Sequence, residues 1–81
     1  METRVAVISI IVTELDKVEM LNELLHDYSG YIIGRMGIPY REKGINIISI
    51  AIDAPMDAIN SLTGALGRLN GINAKVTYAR V

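Results

Sequence analysis

The sequence predicts an α+β sandwich of order βαββαβ, a ferredoxin-like arrangement with a four-stranded antiparallel sheet and two helices on one face. Three observations predict it. The segments Arg4–Val12 (RVAVISIIV) and Ile45–Ile52 (INIISIAI) are apolar at almost every position, the pattern of strands buried on both faces. Each is followed by apolar residues at helical spacing and then by a second extended stretch, so the two halves repeat one order. Right-handed crossovers then place both helices on one side of the sheet, with the first and third strands central.

Taken in order, the first strand covers Arg4–Val12. Asp16, with Glu19 three residues on, reads as an N-cap and its reciprocal acid. Val18, Leu21, Leu24, Leu25 and Tyr28 form the apolar stripe of the first helix, with Glu19, Asn22, Glu23 and Asp27 on its other side. Gly30 is the expected stop. Tyr31–Ile38 is the second strand and Pro39–Gly44 a polar turn. After the third strand, Pro55 suits the first turn of a helix, and Asp57 is favourable beside that helix's N-terminus. Ile59, Leu62, Leu66 and Leu69 mark the second helix, which contains Gly64 and Gly67 and ends at Asn70-Gly71. Asn73–Arg80 is the last strand. Residues 1–81 thus read as a single domain.

At 81 residues, the chain can bury only about 60–65% of its unfolded surface. Yet 51% of its residues are hydrophobic and its mean hydropathy is +0.33, so association with other copies is expected. No apolar run reaches the roughly 18 residues of a membrane span, and Val5–Val12 is too short and too β-branched for a signal peptide. There are no cysteines, which excludes disulfides and thiolate metal sites and fits a cytoplasmic location. The net charge of −1 and scattered Lys and Arg residues lack the basic footprint of a nucleic-acid binder.

Alternation along the strands sorts the side chains into two sets. Ile8, Ile10, Val12, Ile32, Met36, Ile48, Ile50 and Ile52 are assigned to the helix side. Val7, Ser9, Ile11, Ile33, Arg35, Ile47, Ser49, Ala51 and Thr77 take the open side. That face is too apolar for solvent, so Val7, Ser9, Ile11, Ile47, Ser49 and Ala51 are the expected oligomer interface.

Little else points to chemistry. His26, the single histidine, sits where an imidazole meets a helix C-terminus, and one histidine per chain does not make a metal site. Asp53 and Asp57 flank the start of the second helix, where capping explains them. Gly34 and Gly37 form no phosphate-binding fingerprint. With no nucleophile, base and orienting group to combine, the chain is expected not to be an enzyme and to need no cofactor. The exception is Tyr31–Gly44 (YIIGRMGIPYREKG), which combines two strand glycines, a proline, two tyrosines and two arginines. Guanidinium groups beside exposed backbone amides can hold a carboxylate or phosphate. Arg35, Gly37, Tyr40 and Arg41 are therefore the candidate ligand-binding residues. The competing reading is a bulged edge strand and hairpin, with Arg35 pairing across a subunit interface.

The same run, with IISIAIDAP after it and LTGALGRLNGI later, resembles the family of iron-only hydrogenase system regulators over essentially the whole chain. The resemblance implies an ACT-like fold, similar also to the C-terminal domain of the nickel-responsive repressor, and a regulatory or accessory role near hydrogenase maturation. The nickel-binding relatives use a cluster of His and Cys ligands, against His26 and no Cys here. The turn Thr13–Asp16 lacks the glycine that amino-acid-binding ACT domains place there. The first strand begins by Arg4, so a role in transcription is expected to act through a protein partner rather than by direct DNA contact. Two functions follow: a regulatory module that senses a small ligand or docks on a partner, or an assembly protein with no ligand.

Native protein dialysed and assayed for metals is expected to carry no stoichiometric nickel or zinc, since one histidine cannot complete a ligand set. Near-stoichiometric metal that disappears in His26→Ala would contradict this.

Overall fold

The computed structural model describes residues 2–80. Strand β1 spans Arg4–Val12, helix α1 Val18–Asp27, β2 Ile32–Tyr40, β3 Ile45–Ala54, helix α2 Met56–Gly67 and β4 Ile72–Tyr78. The order βαββαβ and the four-stranded antiparallel sheet are as the sequence predicts. The strands lie in the order β2-β3-β1-β4, so the two most apolar strands are central.

The β1–β3 ladder runs in register from Arg4↔Ala54 to Val12↔Asn46, with Ile8 opposite Ile50 and Ile10 opposite Ile48. These even-numbered isoleucines are fully or almost fully buried, together with Leu21 and Leu25 of α1 and Ile59, Leu62 and Leu66 of α2. Every buried side chain among the described residues is apolar, so the fold rests on area removed from water.

Several local boundaries differ from the sequence expectation. Asp16 does not cap α1. The chain enters through a 3-10 turn at Leu15–Lys17, and Lys17 becomes the N-cap without a side-chain bond. The Lys17 amide donates to the Glu14 carbonyl at 3.0 Å, so the backbone makes the bond that a cap would otherwise supply. Helix α1 stops at Asp27, ahead of Gly30, where the Tyr28 amide turns back to Leu25 at 3.1 Å. Helix α2 begins after Pro55 and ends at Gly67 rather than Asn70, through tightened bonds from Arg68 to Ala65 and Leu69 to Leu66. Strand β3 continues to Ala54 and β4 runs from Ile72 to Tyr78. Strand β2 continues through Pro39 to Tyr40, which an edge strand permits because the missing amide is not needed by a second neighbour.

The larger correction concerns side-chain direction in β2. Ile32 pairs with Ile52, but Gly34 pairs with Ala51, so the register shifts by one residue at Ile33. This bulge inverts the faces of every later position. Arg35 now stands opposite Ile50 on the helix side, and Met36 opposite Ser49 on the open side. Their sequence assignments are therefore exchanged. Met36 is 55% exposed and Ile33 64%.

One glycine is fixed by both conformation and space. Gly71, before β4, has φ +78°, and a Cβ there would lie 2.6 Å from the Cβ and Cγ of Glu14. Its carbonyl accepts the Thr13 amide at 2.7 Å and the Thr13 hydroxyl at 3.2 Å, tying the end of β1 to the start of β4. Gly44 shares the positive φ at +65° but has open space around it. Urea denaturation is expected to show Gly71→Ala losing about 2–3 kcal/mol and Gly44→Ala about 1 kcal/mol. Equal losses would mean that the Glu14 contact costs nothing.

Candidate functional site

The bulge opens a cleft between α1 and β2. After Arg35, the helix-facing positions of β2 are Gly37 and Pro39, opposite Ile48 and Asn46. A glycine and a proline present little bulk, and nothing lies within 4 Å of where a Gly37 Cβ would stand. The resulting space, about 210 Å³, is lined by Val18 and Asn22 of α1, by Arg35 and Gly37 to Pro39 of β2, and by Asn46 and Ile48 of β3. Arg35 donates from Nη2 to the Asn22 Oδ1 at 3.0 Å. That bond holds the guanidinium at the cleft while leaving most of its five N–H groups uncommitted. No acidic side chain lines the space.

Of the four residues singled out in the sequence, Arg35 and Gly37 meet here. Tyr40 and Arg41 do not line this cleft. Tyr40 pairs with Ile45 on the open face, its hydroxyl donating to Glu42 Oε2 at 3.3 Å. Arg41 begins the 3-10 turn Arg41–Lys43. Asn22 and Asn46 were missed. Asn46 carried a signal, being the lone polar residue of β3 in the helix-facing register (Asn46, Ile48, Ile50, Ile52, Ala54). Asn22 looked like one more polar residue on a solvated helix face.

On the opposite side of the sheet, Val7, Ser9, Ile11, Ile47, Ser49 and Ala51 share one surface in mutual register. The bulge adds Met36, Ile38 and Tyr40 to it, opposite Ser49, Ile47 and Ile45. Val5, Val7, Met36, Ile38, Tyr40 and Ile47 are all exposed. The polar positions of this face are Ser9 and Ser49 at the centre, Asp53 opposite Val5 at one end, and Asn73, Lys75 and Thr77 along the β4 edge.

His26 lies in a shallow groove on α1 with Glu19, Asn22, Glu23 and Asp27. Among the described residues, no three His, Cys, Asp or Glu side chains are grouped to hold a metal ion, and no helix is long and apolar enough to cross a membrane. Asp57 accepts the Ala58 amide at 3.0 Å in the first turn of α2.

Fold and surfaces together define a ferredoxin-like α+β domain with one bare apolar sheet face and one small basic cleft. The chain belongs to the TM1266-like family, described as "Iron-only hydrogenase system regulator, putative", whose model matches residues 4–76. The family is thus described as regulatory and not as enzymatic. The chain is similar to the uncharacterized protein TM1266 from Thermotoga maritima, with 32% identity and a TM-score of 0.93 over 98% of this chain and 100% of that one. Two further structures share the fold alone. A formyltetrahydrofolate deformylase from Pseudomonas putida KT2440 matches at 15% identity and TM-score 0.64, over 90% of this chain and 28% of that one. An unknown protein from Galdieria sulphuraria matches at 18% and 0.66, over 99% and 47%. No curated protein matches the chain.

Proposed function

We propose that this protein is a non-catalytic regulatory module of the iron-only hydrogenase system that works as a homodimer joined through its open sheet faces. The observation that carries this reading is the apolar surface on β1, β2 and β3. A solvated sheet face alternates toward polar residues, whereas Val5, Val7, Met36, Ile38, Tyr40 and Ile47 lie bare on this one. The accessible surface of the chain is 5362 Å², against about 4,800 Å² expected for a compact monomer of this mass. A stable interface needs about 800 Å² per partner, and small central residues, Ser9, Ser49 and Ala51, let two sheets approach closely. A second copy suits the surface because it brings the same apolar patch, and a two-fold axis makes each contact twice. Signalling would then depend on binding, to a small ligand or a protein partner, and not on a reaction.

Ser49→Arg places a charge at the centre of the face, opposite the symmetry-related copy. The cost should be roughly 3–5 kcal/mol of association, a rise in dissociation constant of more than about a hundredfold. Light scattering at micromolar concentration is expected to give twice the 8.9 kDa chain mass for the wild type and a single chain for the variant, with thermal unfolding showing that the variant is folded. A monomeric wild type, or a folded variant of unchanged mass, would contradict the reading.

A further inference from the structure

We infer that the cleft between α1 and β2 is a binding site for a small monocarboxylate with a short apolar body. This rests on reading the chain as a binding module and names the ligand class of its cleft. Three features of the cleft converge. Its polar donors are the Arg35 guanidinium and the amides of Asn22 and Asn46, and no carboxylate lines it. The Arg35 fork is pre-positioned by the 3.0 Å bond to Asn22 Oδ1, so less side-chain freedom is lost when an anion docks. A planar carboxylate matches a guanidinium with two parallel hydrogen bonds.

The remaining walls are Val18, Ile38, Pro39 and Ile48, which offer an aliphatic body apolar contact and offer a second charge no partner. A single guanidinium balances one negative charge. Glu19 and Glu23 border the adjoining groove, which shares Asn22 with the cleft, and acids on that side disfavour a dianion more than a monoanion. Size points the same way. The cleft, about 210 Å³, falls below the roughly 300–1,000 Å³ of sites for drug-sized ligands, which suits a molecule of a few carbon atoms. The absence of a side chain at Gly37 is what keeps the space open.

Isothermal titration and backbone-amide NMR of the full chain test this with acetate, propionate and butyrate, alongside propionamide, inorganic phosphate and sulfate. Affinity is expected to rise roughly two- to fourfold for each methylene from acetate to butyrate as the body meets the apolar walls. Propionamide, phosphate and sulfate are expected to bind at least tenfold more weakly than butyrate, with shifts at Asn22, Arg35 and Asn46 for the carboxylates only. Arg35→Gln removes the charge, and Gly37→Val fills the cleft with Arg35 intact in a strand conformation that accepts valine. Both variants should lose butyrate binding while keeping their melting temperature. Phosphate or sulfate binding as well as butyrate, no gain with chain length, or full butyrate affinity in Gly37→Val would overturn the assignment. Light scattering on the same samples reads the dimer separately, so a dimeric wild type that binds none of the carboxylates contradicts this inference alone.

Discussion

Everything in this fold depends on the antiparallel pairing of β1 with β3. Both strands are apolar at even and odd positions, and two short helices cover only one side of a four-stranded sheet. The register that sets Ile8 against Ile50 and Ile10 against Ile48 commits the even residues to the helices. The odd residues, Val5, Val7, Ile11 and Ile47, are thereby sent to the other side, where Val5, Val7 and Ile47 are exposed and Ile11 half-buried. A one-residue slip would exchange the two sets without removing the problem, because neither set is polar enough for water. The apolar open face is thus a consequence of strand composition, and a second sheet is its simplest cover.

The architecture was legible because it is written in long signals: two apolar strands, two helical stripes and a repeated order. Faces were legible in β1 and β3 for the same reason, since regular pairing preserves alternation over nine or ten residues. In β2 the inference failed after Ile33. A bulge adds one residue without any change in composition, and IIGRMGIPY alternates equally well in either phase. The glycines at 34 and 37 hinted at an irregularity but not at its position. Helix ends were also illegible in detail, because backbone bonds at Lys17 and Arg68 did what Asp16 and Asn70 were expected to do.

That same extra residue shapes both surfaces of interest. It turns Arg35 toward α1, where Asn22 holds it over the cleft. It also turns Met36, Ile38 and Tyr40 outward, enlarging the bare face at the β2 edge. Of the candidate cluster Arg35, Gly37, Tyr40 and Arg41, the first two therefore line one cleft, while Tyr40 goes to the opposite face and Arg41 to a turn. The proposed ligand cleft and the proposed subunit interface lie on opposite faces of one strand.

The central claim is that the open face is covered in solution, and methionine oxidation tests it within a single sample. Met36 on that face is 55% exposed in the isolated chain, Met20 on α1 49% and Met56 on α2 40%. By exposure alone Met36 should react with peroxide at least as fast as the other two. If a second copy covers the sheet, mass spectrometry after brief oxidation at micromolar concentration will find Met36 several-fold slower than both Met20 and Met56. Oxidation of Met36 as fast as that of Met20 would show the face open to solvent and contradict the account.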